Sequence, residues 1–276
     1  MTQTTHPAAA DRAASGFDAT LVAAVLADAR RARVRIYGVS GLQGCGKSTL
    51  AAQLAQAGRA TGLQVVVVSI DDFYLDRPQR DALAREVHPL LRTRGPPGTH
   101  DLPLALATLD ALRERRRVRI PRFDKLADRR LPESAWQHVA QADLVVFEGW
   151  FLATPPEPAD ALAAPINTLE RDEDPDGLWR RHCNDALARD YPALWSCIDR
   201  LLVLQAPGFE AVPGWRWEQE RTAQERDATR AGMDRVECDR FVQHYERVSR
   251  QALRTLPSIV DLLVPLDARR APRIGP

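Results

Sequence analysis

The chain has 276 residues, 45% hydrophobic and 27% charged, which is enough to bury a sizeable core and near the upper size of a single compact domain. With 38 basic against 37 acidic residues the net charge is +1, so nothing in the balance favours a nucleic-acid or membrane surface, and a small-molecule partner is expected. The four cysteines show no C-x-x-C spacing, the longest apolar run (63–70) is too short to cross a bilayer, and the N-terminus lacks a basic start followed by an apolar core; reduced thiols and a cytoplasmic location are expected, while oligomeric state is not legible.

Residues 1–16 are small, polar and patternless, the composition of a disordered tail, and 17–276 read as one domain. Phe17, Leu21, Val22, Val25 and Leu26 fall on one face of a helix that leads into a buried strand over 34–40. Gly41-Leu42-Gln43-Gly44-Cys45-Gly46-Lys47-Ser48 then meets G-x-x-x-x-G-K-[ST] at every fixed position, followed by Thr49 and a helix to about residue 62. Glycines let backbone N–H groups wrap phosphate oxygens, and the helix start adds a favourable dipole. Gly41 to Thr49 are therefore the candidate ATP-binding loop, with Lys47 on the β- and γ-phosphates and Ser48 on Mg2+.

Val65–Ile70, β-branched and apolar on both faces, predicts a central parallel strand that completes a βαβ unit. Asp71 and Asp72 follow it, where open α/β sheets face their ligand; Asp71 is the candidate general base, and the alternative for either is a turn former or cap. From Arg77 to His100 the pattern breaks down into Pro, Gly, Arg and His, which reads either as a substrate loop presenting Arg92, Arg94 and His100 to a small anion or as a solvated surface loop. A helix over 102–112 capped by Asp101 and a strand over 118–120 come next. Residues 121–130 pack alternating charges beside Phe123, giving either a second acceptor-contacting loop with Asp124, Lys125 and Arg129 or an exposed hairpin. Only two of the 38 basic residues, Lys47 and Lys125, are lysine, and a chain that writes arginine almost everywhere keeps lysine where a compact point charge serves.

Asp143–Trp150 predicts an apolar strand ending in Glu148, the form of a Walker B element, with Glu148 and Ser48 as the metal-binding pair. Residues 155–165 are Pro- and Ala-rich and read as a surface excursion; helices are expected over 178–191 and 233–256, and strands over 196–205 and 259–264. Between them, 215–230 is densely charged with acid–base pairs near helical spacing, and a segment of about 213–232 is a candidate lid whose Arg221, Arg226 and Arg230 would meet the transferring phosphoryl group.

No Asn-Lys-x-Asp guanine-reading motif and no Leu-Ser-Gly-Gly-Gln signature is present. Together, 41–48, Ser69-Ile-Asp-Asp-Phe-Tyr-Leu75 and Val145-Val-Phe-Glu-Gly-Trp150 resemble the P-loop small-molecule kinases that include uridine kinase, phosphoribulokinase and pantothenate kinase. Within that group, 88–101, Pro121-Arg-Phe-Asp-Lys125, 204–210 and Trp215-Arg-Trp-Glu-Gln-Glu220 are similar to the plant-type D-glycerate 3-kinases and their microbial and fungal relatives. The resemblance implies an α/β fold, a P-loop NTPase-type three-layer α/β/α sandwich with a mainly parallel central sheet and a helical lid, and ATP- and Mg2+-dependent phosphorylation of D-glycerate to 3-phosphoglycerate. In the wider group the carboxylate that matches Asp71 acts as base and a late arginine-bearing segment forms the lid; beside them, Lys47, Arg221 and Arg226 stand as the candidate charge stabilisers, and Asp72, Tyr74, Arg92, Arg94, His100, Lys125 and Arg129 as the candidate acceptor-binding residues. Two alternatives stay open: a kinase for a nucleoside, a sugar phosphate or pantothenate, and a nucleotide-binding regulatory or assembly protein.

Overall fold

The computed structural model describes residues 16–226 and 232–273, the side chain of Arg226 excepted. Of the tail expected over residues 1–16, all but Gly16 lies outside them. In chain order, α1 (Ala19–Arg31), β1 (Ile36–Gly41), α2 (Lys47–Ala60) and β2 (Val65–Ser69) form the first βαβ unit. After α3 (Arg77–Glu86) and α4 (Leu102–Arg113), β3 (Val118–Ile120) pairs antiparallel with β6 (Gln137–Val139), and between them β4 (Phe123–Asp124) and β5 (Arg129–Arg130) make a minimal hairpin. The chain returns to the core with β7 (Leu144–Gly149), passes through α5 (Thr168–Glu173), α6 (Leu178–Arg189) and α7 (Pro192–Trp195) to β8 (Arg200–Gln205), and ends with α8 (Val212–Arg226), α9 (Arg235–Thr255) and β9 (Leu262–Pro265).

The central sheet is parallel throughout, in the order β2-β7-β1-β8-β9, and helices flank it. Parallel strands covered on both faces need apolar side chains on both, and every residue of β1 and β7 is buried. Leu50, Ile70, Phe73, Leu109, Phe147 and Phe151, all under 2% exposed, fill the space around the sheet. The register sets the site: Glu148 on β7 lies opposite Val39 on β1 and Ser69 on β2, so three consecutive strands end together at one edge.

Three expectations change. Residues 77–100, read as a patternless loop, contain α3, whose start is fixed by a reciprocal capping box between Asp76 and Gln79. Its helical period escaped notice because the deepest residue of its buried face is an arginine, Arg80, with 1% exposure. The strand expected over 196–205 starts only at Arg200, after α7, while the Pro/Ala-rich segment does run over the surface and is tied down there, Arg247 of α9 donating to the carbonyls of Ala161 and Ala164 and pairing with buried Glu157 and Glu170. The last strand starts at Leu262, three residues later than expected.

Candidate active site

The phosphate cradle follows from β1. Gly44 and Gly46 have φ of +80° and +98°, the left-handed region that disfavours a side chain. Space closes the question at Gly44, where a Cβ would sit 2.6 Å from the Cβ of Trp215. Helix α2 begins at Lys47 with no side-chain cap on its first amides, which leaves those N–H groups available to an anion. Lys47 is buried, its Nζ donating to the carbonyl of Leu42 at 3.0 Å, and the Ser48 hydroxyl donates to Glu148 Oε1 at 3.1 Å.

Beyond β2 the chain tightens into a 3-10 turn over Ile70–Phe73 that carries Asp71 to the same edge. Lys125, from the loop of the β4–β5 hairpin, donates to Asp71 Oδ2 at 2.5 Å. Burial acts to raise the Asp71 carboxyl, but Lys125, the Tyr74 hydroxyl and Lys47 outweigh it and hold the group below the usual carboxylate range. Burial pushes the Glu148 carboxyl up in spite of Lys47. A cavity of about 530 Å³ joins these groups: Gln43, Gly44, Lys47, Ser48, Asp71, Tyr74, Arg94, Lys125 and Glu148 all line it.

Other expected residues lie elsewhere. The Asp72 carboxylate accepts from Arg122 at 2.8 Å and from the Phe123 amide at 3.1 Å, so it roots the hairpin instead of facing the cavity. Arg92 pairs with Asp81 on an outer cleft, and Arg129 is exposed on β5. His100 sits behind Tyr74, its Nδ1 at 2.7 Å from the Tyr191 hydroxyl, and burial pushes its imidazole down to about 4, which leaves it neutral and unsuited to holding an anion by charge. Arg221 points to solvent, paired with Glu225. Arg226 closes α8 with its side chain outside the described residues, and Arg230 lies outside them altogether.

Among the described side chains of α8, the arginine that lines the cavity is Arg216, which the sequence reading missed. It pairs with Glu220 at 2.8 Å, and its guanidinium lies 5.5 Å from the centroid of the Phe241 ring. At about 100° per residue, Arg221 is turned some 140° away from Arg216 around the helix. Trp215, Gln219 and Ala223, at helical spacing on the inner face, were the signal that could have found it. Phe241 and Tyr245, one turn apart on α9, also line the cavity.

Among the described residues no group of three or more His, Cys, Asp and Glu is placed to enclose a metal. A hydroxyl and a carboxylate side by side, Ser48 and Glu148, are instead the sparse oxygen set suited to a hard cation that keeps most of its waters, and the residues therefore fit Mg2+. Among the described residues, no helix is long and apolar enough to cross a membrane.

Residues 36–155 match the family described as "Phosphoribulokinase / Uridine kinase family". The chain is 33% identical to the chloroplastic D-glycerate 3-kinase of Arabidopsis thaliana over 257 residues, 86% of its own length but 53% of that protein, so it spans about half of the plant enzyme. It is 35% identical over 224 residues to a Schizosaccharomyces pombe protein named only as uncharacterized kinase mug58, covering 76% of this chain and 78% of that one. Among solved structures, the D-glycerate 3-kinase of Cryptococcus neoformans var. grubii superposes with a TM-score of 0.74 at 24% identity, covering 93% of this chain and 97% of that one, a likeness of fold. Likeness to the fission-yeast kinase over more than three quarters of both chains, and a family match that takes in cradle, Asp71 and Glu148 alike, make this chain a member of the phosphoribulokinase and uridine kinase family of P-loop kinases.

Proposed function

We propose that the protein transfers the γ-phosphoryl group of ATP to a hydroxyl of a small carboxylate, with D-glycerate as acceptor and 3-phosphoglycerate as product. The observation that carries this reading is the shared cavity in which a phosphate loop faces a paired carboxylate and ammonium, Asp71 and Lys125. The names of the plant and Cryptococcus relatives support the choice of acceptor.

The amides of the loop and Lys47 hold the triphosphate and draw charge off the transferring group. Bound Mg2+, held through Ser48 and Glu148, supplies a positive charge that neutralises developing charge on the phosphate oxygens. Asp71 accepts the hydroxyl proton of the acceptor as that oxygen forms its bond to phosphorus and the bond to the ADP oxygen breaks; with its carboxyl held low, Asp71 orients the hydroxyl and takes the proton late rather than making a free alkoxide. Lys125 and Arg94 give the acceptor carboxylate its cationic wall, and Arg216 reaches the cavity from the lid helix.

ADP release measured over D-glycerate, nucleosides, sugar phosphates and pantothenate tests the reading. Turnover with D-glycerate well above the others is the expected result; a different acceptor would reassign the substrate, and water alone would leave a slow ATPase. The Asp71–Lys125 pair adds a pH signature. A base works only when deprotonated, so rate is lost as pH falls through its pKa; Lys125→Met removes the cation that holds Asp71 low, raises that pKa and should move the acid limb of kcat/KM to higher pH. A limb that stays in place would show that Asp71 is not the titrating base.

A further inference from the structure

The hairpin that delivers Lys125 to Asp71 is too small to hold its own shape. Its strands have two residues each, paired Phe123 with Arg130 and Asp124 with Arg129, and a ladder this short has no independent stability. Its root is tied down by Asp72, and by Arg130, whose amide donates to Asp76 and whose guanidinium donates to Asp101 at 2.9 Å. The four-residue loop 125–128 is turned by Asp124, whose Oδ1 accepts from the amides of Leu126 and Ala127 at 2.9 and 3.0 Å, and it is fastened to the rest of the protein through Asp128 and the Lys125 carbonyl. Asp128 closes it with φ of +51°, and its carboxylate meets three guanidiniums: Arg80 at 2.8 Å, Arg77 at 3.3 Å and Arg94. Arg80 is 1% exposed and anchored from within by the carbonyls of Leu75 and Arg92, so it is a rigid post rather than a surface side chain. Arg94 spans the loop: one arm holds Asp128, and the other donates to the Lys125 carbonyl at 2.9 Å.

The geometry points to Asp128 as a positioning residue that, through Arg80 and Arg94, fixes the backbone at Lys125 so that its ammonium stands on Asp71. This rests on the phosphotransfer reading for its purpose, but not for its evidence. Asp128 itself is not among the residues that line the cavity, and it acts through a neighbour three residues away. A shift of about 1 Å in such a loop can cost roughly 100-fold in rate when it misplaces a working group.

The scarcity of lysine makes the test direct. With only Lys47 and Lys125 present, reaction with an amine-specific acylating reagent, followed by peptide mass spectrometry, reports on Lys125 with Lys47 as internal control. In the native protein the pairing with Asp71 keeps Lys125 protonated and slow to react. Asp128→Asn keeps a side chain that tolerates the left-handed backbone while removing the charge. It should label severalfold faster at Lys125 with Lys47 unchanged, and lower acceptor kcat/KM roughly 10- to 100-fold. On a Lys125→Met background the same change should cost nothing further. Unchanged labelling of Lys125, or a kinetic loss that adds in full to that of Lys125→Met, overturns the proposal. Arg94→Gln, which removes the other half of the clamp, repeats the labelling test should Asp128→Asn not purify folded. Labelling needs no substrate, so a wrong acceptor would leave that arm standing, and a failed latch would leave the acceptor panel unaffected.

Discussion

Asp71→Asn is expected to lower turnover with the acceptor by roughly 10²- to 10⁴-fold while ATP affinity stays within a few-fold of the native value. The side chain keeps its size and one hydrogen-bond acceptor for Lys125, so the 3-10 turn that carries it should survive; what goes is the negative charge and the ability to take the hydroxyl proton. The cradle, Lys47 and the Ser48–Glu148 pair lie on other strands and loops, and they should bind nucleotide as before. Single-turnover transfer and nucleotide titration on the same preparation separate the two effects. Retained transfer would remove Asp71 from the chemistry, and lost nucleotide binding would make its role structural.

Glu170→Ala should be the most destabilising single change outside the site. Glu170 is fully buried and takes Arg247 through two bonds, at 2.8 and 2.6 Å, while Arg247 also pairs with Glu157 at 2.9 Å. Truncating one acid leaves a guanidinium in the interior with half its charge compensation, a loss of about 3–5 kcal/mol for buried pairs. For a chain of this size that corresponds to a fall of roughly 10 °C in Tm. The pair ties α9 to α5, and α9 supplies Phe241 and Tyr245 to the cavity, so acceptor KM should rise along with the loss of stability. Thermal unfolding and steady-state kinetics check both parts; a Tm within about 2 °C of native would mean water reaches Arg247 readily.

The phosphate half of the molecule was legible because its rules are local. A glycine-rich turn between a buried strand and a helix, and carboxylates at strand ends, are set by backbone geometry, and 41–49, Asp71 and Glu148 arrive where the motifs place them. The rest of the candidate site depends on pairings between residues far apart in the chain. Asp71 and Asp72 are neighbours of the same chemical type, and only the arrival of Arg122 and Phe123, fifty residues later, decides that one faces the cavity and the other roots a hairpin. Arg80 looks like a surface residue in the sequence, yet it is buried because Asp128 lies 48 residues downstream. His100 has the composition of an anion ligand and the surroundings of a core residue, Tyr74, Phe151 and Tyr191. In α8 the charged residues were visible but not their phase, and only the side that carries buried Trp215 and, one and two turns on, the cavity-lining Gln219 and Ala223 selects Arg216 over Arg221.

The three consecutive strands that end together have a consequence for redesign. Neighbouring strands of any sheet stand about 4.8 Å apart, and β7 lies between β1 and β2, so the two-strand offset between the ends that lead into the cradle and toward Asp71 is built into the main chain and does not have to be encoded by side chains. The stretch between β2 and β7, by contrast, is a cassette that reaches the cavity through Asp71, Tyr74, Arg94 and Lys125. Grafting that cassette from another kinase of the same architecture is a route to new acceptor preferences with the triphosphate machinery untouched.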